Sequence, residues 1–170
     1  MLNEKEAKKR RFVYRNLDSV IYRELCLWIR SYHKKRKRVD LILEEITGLR
    51  ERPELFVQGG ERQTRFIAAE EALKRAKTRY YTLFQDVEAV EKAIDYLKIE
   101  ASRLNTSEYG ERLSKAVILH CTNRKDYDIP MLKKKFNLSM HENTFLAYKR
   151  LFIGNLAERL GYIGLLEIWT

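Results

Sequence analysis

Between Gln63 and Leu104 the chain contains neither proline nor glycine. Across that stretch Phe66, Leu73, Tyr80, Leu83, Phe84, Val87, Val90, Ile94, Leu97 and Leu104 recur at steps of three, four and seven. Side chains in a strand alternate faces with a period of two, so this spacing belongs to helix. About 40 helical residues span roughly 60 Å, the length of a strut or a coiled-coil-like dimer seam. Two helices joined near residues 77–86 fit the same pattern equally well. The whole chain is poor in breakers, with seven Gly and two Pro among 170 residues, and 45% of it is apolar. That composition favours a folded, helical chain. The expected fold is all-α: N-terminal helices, a long central helix and a C-terminal helix-turn-helix.

Residues 17–47 carry the first helical pattern. Leu17, Ile21, Leu25, Trp28, Ile29 and Tyr32 fall on one stripe, and Val39, Ile42, Leu43 and Ile46 resume it. Asn16 or Asp18 is suited to cap its start, and Gly48 stands where a helix would stop. Residues 49–62 read as a loop, because Pro53 and Gly59-Gly60 break helical periodicity. Asn105-Thr106-Ser107 is a second break, with Ser107 and Gly110 marking a new start. Two regions follow: 1–104, a helical scaffold for self-association, and 105–170, a DNA-binding domain.

The net charge is +10, and it is uneven: +7 over residues 1–50, zero over 51–104 and +3 over 105–170. A basic chain suits a polyanion, nucleic acid before membrane. His33 is followed by five successive cations, Lys34 to Arg38, which repel one another unless solvated or paired with an anion. Cys26 and Cys121 are the only cysteines, which gives neither a disulfide framework nor zinc-ligand spacing. The first dozen residues lack an apolar signal core, and no run nears the roughly 18 apolar residues of a membrane span. A cytoplasmic protein without cofactor or metal is expected.

The stretch IPMLKKKFNLSMHENTFLAYKRLFIGNLAERLG, 129–161, carries the most information about function. Asp128 is placed to cap a short helix with Pro130 in its first turn. Ile129, Leu132 and Phe136 share one face, while Lys133, Lys134 and Lys135 mostly face outward. Asn137-Leu138-Ser139 makes a turn with Leu138 tucked in, and Ser139-x-x-Glu142 has the form of a capping box. The last helix carries Phe145, Tyr148, Phe152, Leu156 and Leu160 on one stripe and ends at Gly161. Short helix, tight turn and longer helix is the layout of a helix-turn-helix, whose second helix offers its leading turns to the major groove. Those turns hold Asn143, Thr144, Ala147 and Arg150 as base-reading candidates, since Asn pairs bidentately with adenine, Arg with guanine, and a Thr methyl meets a thymine methyl. Lys133, Lys134, Lys135 and Lys149 are candidates for the phosphate backbone, as are Arg124, Lys125, Lys34, Lys35 and Arg36.

These residues resemble a known family. Leu138-Ser139, Thr144, Lys149-Arg150, Phe152-Ile153 and Leu156 to Gly161 resemble the C-terminal helix-turn-helix of the RinA/ArpU-type phage transcriptional regulators, itself similar to the promoter-reading region four of bacterial sigma factors. Glu24-Leu25-Cys26, Ser31 to Lys34 and Glu45-Ile46 resemble the N-terminal helix of that family. The turn before Thr144 is about two residues longer than the family pattern, and the segment 98–111 is longer too. The resemblance implies an activator of late phage genes in the bacterial host cytoplasm that binds a promoter-proximal site on double-stranded DNA; the N-terminal helices and long central helix would then serve self-association or contact with RNA polymerase.

Two other function classes compete. A helical protein–protein module, such as an anti-repressor or host-takeover factor, would use the same basic face on an acidic partner. A small nuclease would need carboxylates such as Asp126 and Asp128 around a divalent metal, but Asp128 is better explained as a cap. His120-Cys121 reads as a buried helical position, since neighbours on a helix point about 100° apart. Tyr80, Tyr81 and Phe84, like Trp28 and Tyr32, read as core rather than base-stacking platforms. Gly59-Gly60 lacks the lysine and helix of a phosphate loop. No catalytic residue is expected.

Overall fold

A computed structural model describes residues 19–55, 60, 62–103, 105–123 and 126–162. Among the described residues the chain forms α-helices and one 3₁₀ turn, with no strand. The helices are α1 (Ser19–Glu51), α2 (Arg62–Ser102), α3 (Ser107–Thr122), α4 (Ile129–Lys135) and α5 (Glu142–Arg159). The long central pattern is therefore one continuous 41-residue helix, without a turn at 77–86.

Gly48 does not end α1. The helix continues to Glu51, and the Arg52 amide still donates to the Gly48 carbonyl at 2.8 Å. Ile46 and Leu49 are buried on either side of the glycine, and their packing outweighs the roughly 1 kcal/mol that an internal glycine costs a helix. The stop comes at Pro53, which begins the 3₁₀ turn Pro53–Leu55; proline disfavours helical geometry in the residue before it. Asn16 and Asp18 lie outside the described residues.

The helices divide into two compact units, the boundary falling within α1 and α2. In the unit of residues 32–88, Ile42, Ile46 and Leu49 of α1 bury against Ala76 of α2, flanked by Ala72, Leu73, Tyr80 and Leu83. The short Ala72 and Ala76 side chains leave room for the larger aliphatics of α1. Arg79 donates to both Glu45 carboxylate oxygens at 2.7 and 3.0 Å, and Lys35 meets Asp86 at 2.6 Å.

The other unit joins residues 19–31 of α1, the end of α2 from Ala89, and α3 to α5. Leu25, Ile29, Val90, Leu97, Leu113, Leu132, Phe145, Phe152 and Leu156 fill its interior. α3 starts at Ser107 as expected and is capped by Thr106, whose hydroxyl accepts from the Tyr109 amide at 3.3 Å. At Gly110 the backbones of α2 and α3 nearly touch. A Cβ there would stand 2.8 Å from the Lys98 carbonyl oxygen and 2.7 Å from Ser102 Oγ. Lys98 also reaches Glu111 at 2.9 Å. That hydrogen bond, with the ammonium charge behind it, holds the Glu111 carboxyl below its usual range.

Candidate nucleic-acid interface

Asp128 starts α4 as its chemistry predicts. Its carboxylate accepts from the Met131 amide at 2.8 Å, with Pro130 in the first turn. Leu132 turns inward and is fully buried. The helix ends in a Schellman turn: the Leu138 amide donates to the Lys133 carbonyl at 2.9 Å and the Asn137 amide to Lys134 at 3.3 Å. Asn137 takes the left-handed conformation (φ 50°) that this turn demands, one that asparagine tolerates better than most residues. Leu138, next along, is buried.

The expected capping box is absent. His141 stands at the N-cap of α5 and makes no side-chain cap bond, and Ser139 lies two residues too early to serve. The Ser139 hydroxyl instead pairs with Tyr109 on α3. Burial, then the charge of Tyr148, raise the Tyr109 phenol, while Arg112 and Ser139 pull it back. The leading amides of α5 thus lack a side-chain cap from His141, and such amides attract anions. Glu142, exposed in the same turn, opposes that attraction.

α3, α4 and α5 pack against one another pairwise. Within this cluster α5 has two characters. His141, Glu142, Asn143, Thr144, Ala147 and Arg150 are exposed, whereas every residue from Phe152 to Ala157 is buried. Residues 152–157 are thus buried on every face, more than the single expected stripe, while Glu158 and Arg159 after them are exposed. Gly161 closes the helix at φ 79°, its amide donating to the Glu158 carbonyl at 3.1 Å.

All four base-reading candidates therefore lie on the exposed leading half of α5. Lys134 and Lys135 are exposed on α4 and Lys133 is half-buried; the Lys135 ammonium lies 5.0 Å from the Tyr127 ring centre. Arg124 and Lys125 lie outside the described residues. Lys34, Lys35 and Arg36 belong to the unit of residues 32–88. There Lys34 is exposed, Lys35 pairs with Asp86 and Arg36 with Asp40 at 3.5 Å. Neighbouring carboxylates thus already neutralise part of the cation run.

Lys149 requires correction as a backbone contact. It was expected to face solvent beside Arg150, yet its relative exposure is 6%. Its Nζ lies 3.0 Å from His120 Nδ1 and 5.7 Å from the Tyr22 ring centre. As an ammonium it has only hydrogens to give, so it donates and the imidazole proton resides on Nε2. His120 and Cys121 are buried, as expected, and His120 also meets Phe145 edge-on at 5.6 Å between ring centres. Burial pushes the Cys121 thiol up to about 12. Periodicity cannot reveal this polar core, because a lysine next to an exposed arginine reads as surface.

The carboxylates near α4 have structural partners. Asp128 holds the Met131 amide and Asp126 accepts from Asn123. Among the described residues no group of three His, Cys, Asp or Glu side chains is arranged to hold a metal ion. None of the described helices is long and apolar enough to cross a membrane. No protein-family model, curated protein or solved structure matches the chain.

Proposed function

We propose that the chain is a sequence-specific DNA-binding transcriptional regulator of the RinA/ArpU type, an activator of late phage genes, with α4, the Asn137–Ser139 turn and α5 acting as a helix-turn-helix. One observation carries this reading: the leading half of α5 is exposed with Asn143, Thr144, Ala147 and Arg150 on it, while its trailing half is anchored in the core. A rigidly held helix with a free polar end is what base reading in the major groove requires. Exposed Lys134 and Lys135, with half-buried Lys133, are the backbone-neutralising cations beside it. Exposed apolar side chains on the long helices, Leu41, Phe66, Ile67 and Tyr81 among them, support self-association as the role of the scaffold. RNA polymerase is the second partner in this reading.

The test compares a duplex from the chain's own genomic neighbourhood with a scrambled duplex in a mobility-shift titration. Arg150→Ala is expected to weaken binding to the specific duplex by ~1–3 kcal/mol and to relax preference at one base pair. Lys134→Ala is expected to weaken both duplexes alike. Equal loss on both duplexes from both changes would refute base reading and favour a basic protein-docking face.

A further inference from the structure

Beside the buried Lys149 lies a cleft of about 370 Å³, formed by one face of α1 (Tyr22, Arg23, Cys26, Leu27 and Arg30) and closed by His120, Cys121 and Lys149. Its charge is one-sided. No carboxylate among the described residues lines it. Among the described residues, the Lys149 ammonium meets His120 and the Tyr22 ring and no carboxylate within ion-pair distance. Arg23 and Arg30, two turns apart on α1, are exposed and enter no ion pair among the described residues. Glu24, the nearest acid in sequence, is engaged by the Tyr162 hydroxyl. A buried ammonium without a counter-charge is costly, and two further cations at the same opening raise that cost unless an anion is shared between them.

We propose that this cleft binds a phosphate monoester of small-molecule size. Two guanidinium forks and an ammonium match the oxygens and double charge of a phosphate better than the single charge of a carboxylate. Tyr22 and Leu27 supply an apolar wall for the organic part, and the volume lies within the range of small-ligand sites. The site stands whether or not the chain binds DNA. A free phosphate or a nucleic-acid backbone offers the same group, so the test separates these sources.

The full chain, labelled with ¹⁵N, is titrated with ribose 5-phosphate, with inorganic phosphate, and with potassium chloride at matched ionic strength. Saturable amide shifts at Tyr22–Arg30, His120, Cys121 and Lys149 are expected with ribose 5-phosphate at about millimolar affinity, and weaker ones with inorganic phosphate. The bound ester should also slow alkylation of Cys26 by neutral iodoacetamide. Arg30→Gln, a change at an exposed position that leaves folding intact, is expected to weaken ester binding about tenfold, as one charge-assisted pair is lost. Lys149→Met is expected to abolish it, and Lys134→Ala to leave it unchanged. Shifts no different from those in potassium chloride, or shifts centred on Lys133–Lys135, would overturn the site. Inorganic phosphate binding with the ester excluded would overturn the monoester assignment. Protection of Cys26 by a duplex but not by the ester would transfer the phosphate to a nucleic-acid backbone and overturn it equally.

Discussion

Cys121 shows how far one side chain's surroundings depart from what its neighbours in sequence suggest. Packed beside His120 and close to Lys149, its thiol is pushed up to about 12, chiefly by burial. In the unfolded chain the thiol ionises near its ordinary value of 9.0. Between those values the unfolded state has lost a proton that the folded state keeps, so stability is complete below about pH 9 and falls as the pH rises towards 12. Tyr109, also raised by burial, acts in the same sense at higher pH. Urea midpoints measured across this alkaline range are expected to fall for the native chain and to fall less steeply for Cys121→Ala. Alkylation of the folded protein near neutral pH is expected to modify half-buried Cys26 and spare Cys121 until denaturant is added. The sequence made the burial of Cys121 readable and hid that of Lys149. A cysteine in an apolar helix has an ordinary place inside, whereas a lysine goes there only when distant residues such as His120 and Tyr22 receive it.

At the scale of single helices, what was legible is what local chemistry decides. Asp128 with Pro130, Asn137 with Leu138, and Gly161 each satisfy backbone groups within a few residues, so their roles follow from adjacent side chains. The features that sequence reading missed all depend on distant partners. Ser139 fails to cap α5 because the helix begins two residues later, at His141, and its hydroxyl meets Tyr109 of α3 instead; Gly48 fails to stop α1 because Ile46 and Leu49 are packed on both sides of it. α4, with seven residues, is too short to be stable alone, so its start relies on the Asp128 cap and the burial of Leu132. Asp128→Ala is expected to cost about 1 kcal/mol, in line with other lost N-caps. The loss should appear in urea unfolding, with faster amide exchange concentrated in Met131 and its neighbours. Asp128→Asn, which keeps the acceptor, should restore most of the stability.

For the molecule as a whole, the excess of positive charge is what the proposed association with DNA would draw on. Binding to random duplex DNA is expected to weaken linearly on a double-logarithmic plot against salt. Removing a cation that touches phosphate reduces that slope by about one. Lys134→Ala should do so. Lys35→Ala should not, since Asp86 at 2.6 Å already balances Lys35. That contrast tests whether, on the proposed reading, Lys134 meets phosphate while Lys35 serves the fold. The all-α class follows from breaker-poor sequence and periodicity, which left one central helix or two equally open; the structure makes it one. The grouping of residues 19–31 with everything from Ala89 onward has no such signal, since it arises from contacts far apart in the chain; the boundary read from sequence at residues 104 and 105 falls inside that unit.

The near-contact at Gly110 gives a geneticist a handle. Any β-carbon there must displace the carbonyl of Lys98, and crowding of this kind typically costs about 1–3 kcal/mol. Against the narrow margin of a small protein, Gly110→Ala is expected to yield a conditional allele: near-normal at low growth temperature and inactive when warmed, with a correspondingly lowered melting temperature in calorimetry. Such an allele would allow the protein to be switched off in a living cell by heat alone, with every residue proposed to touch DNA left in place.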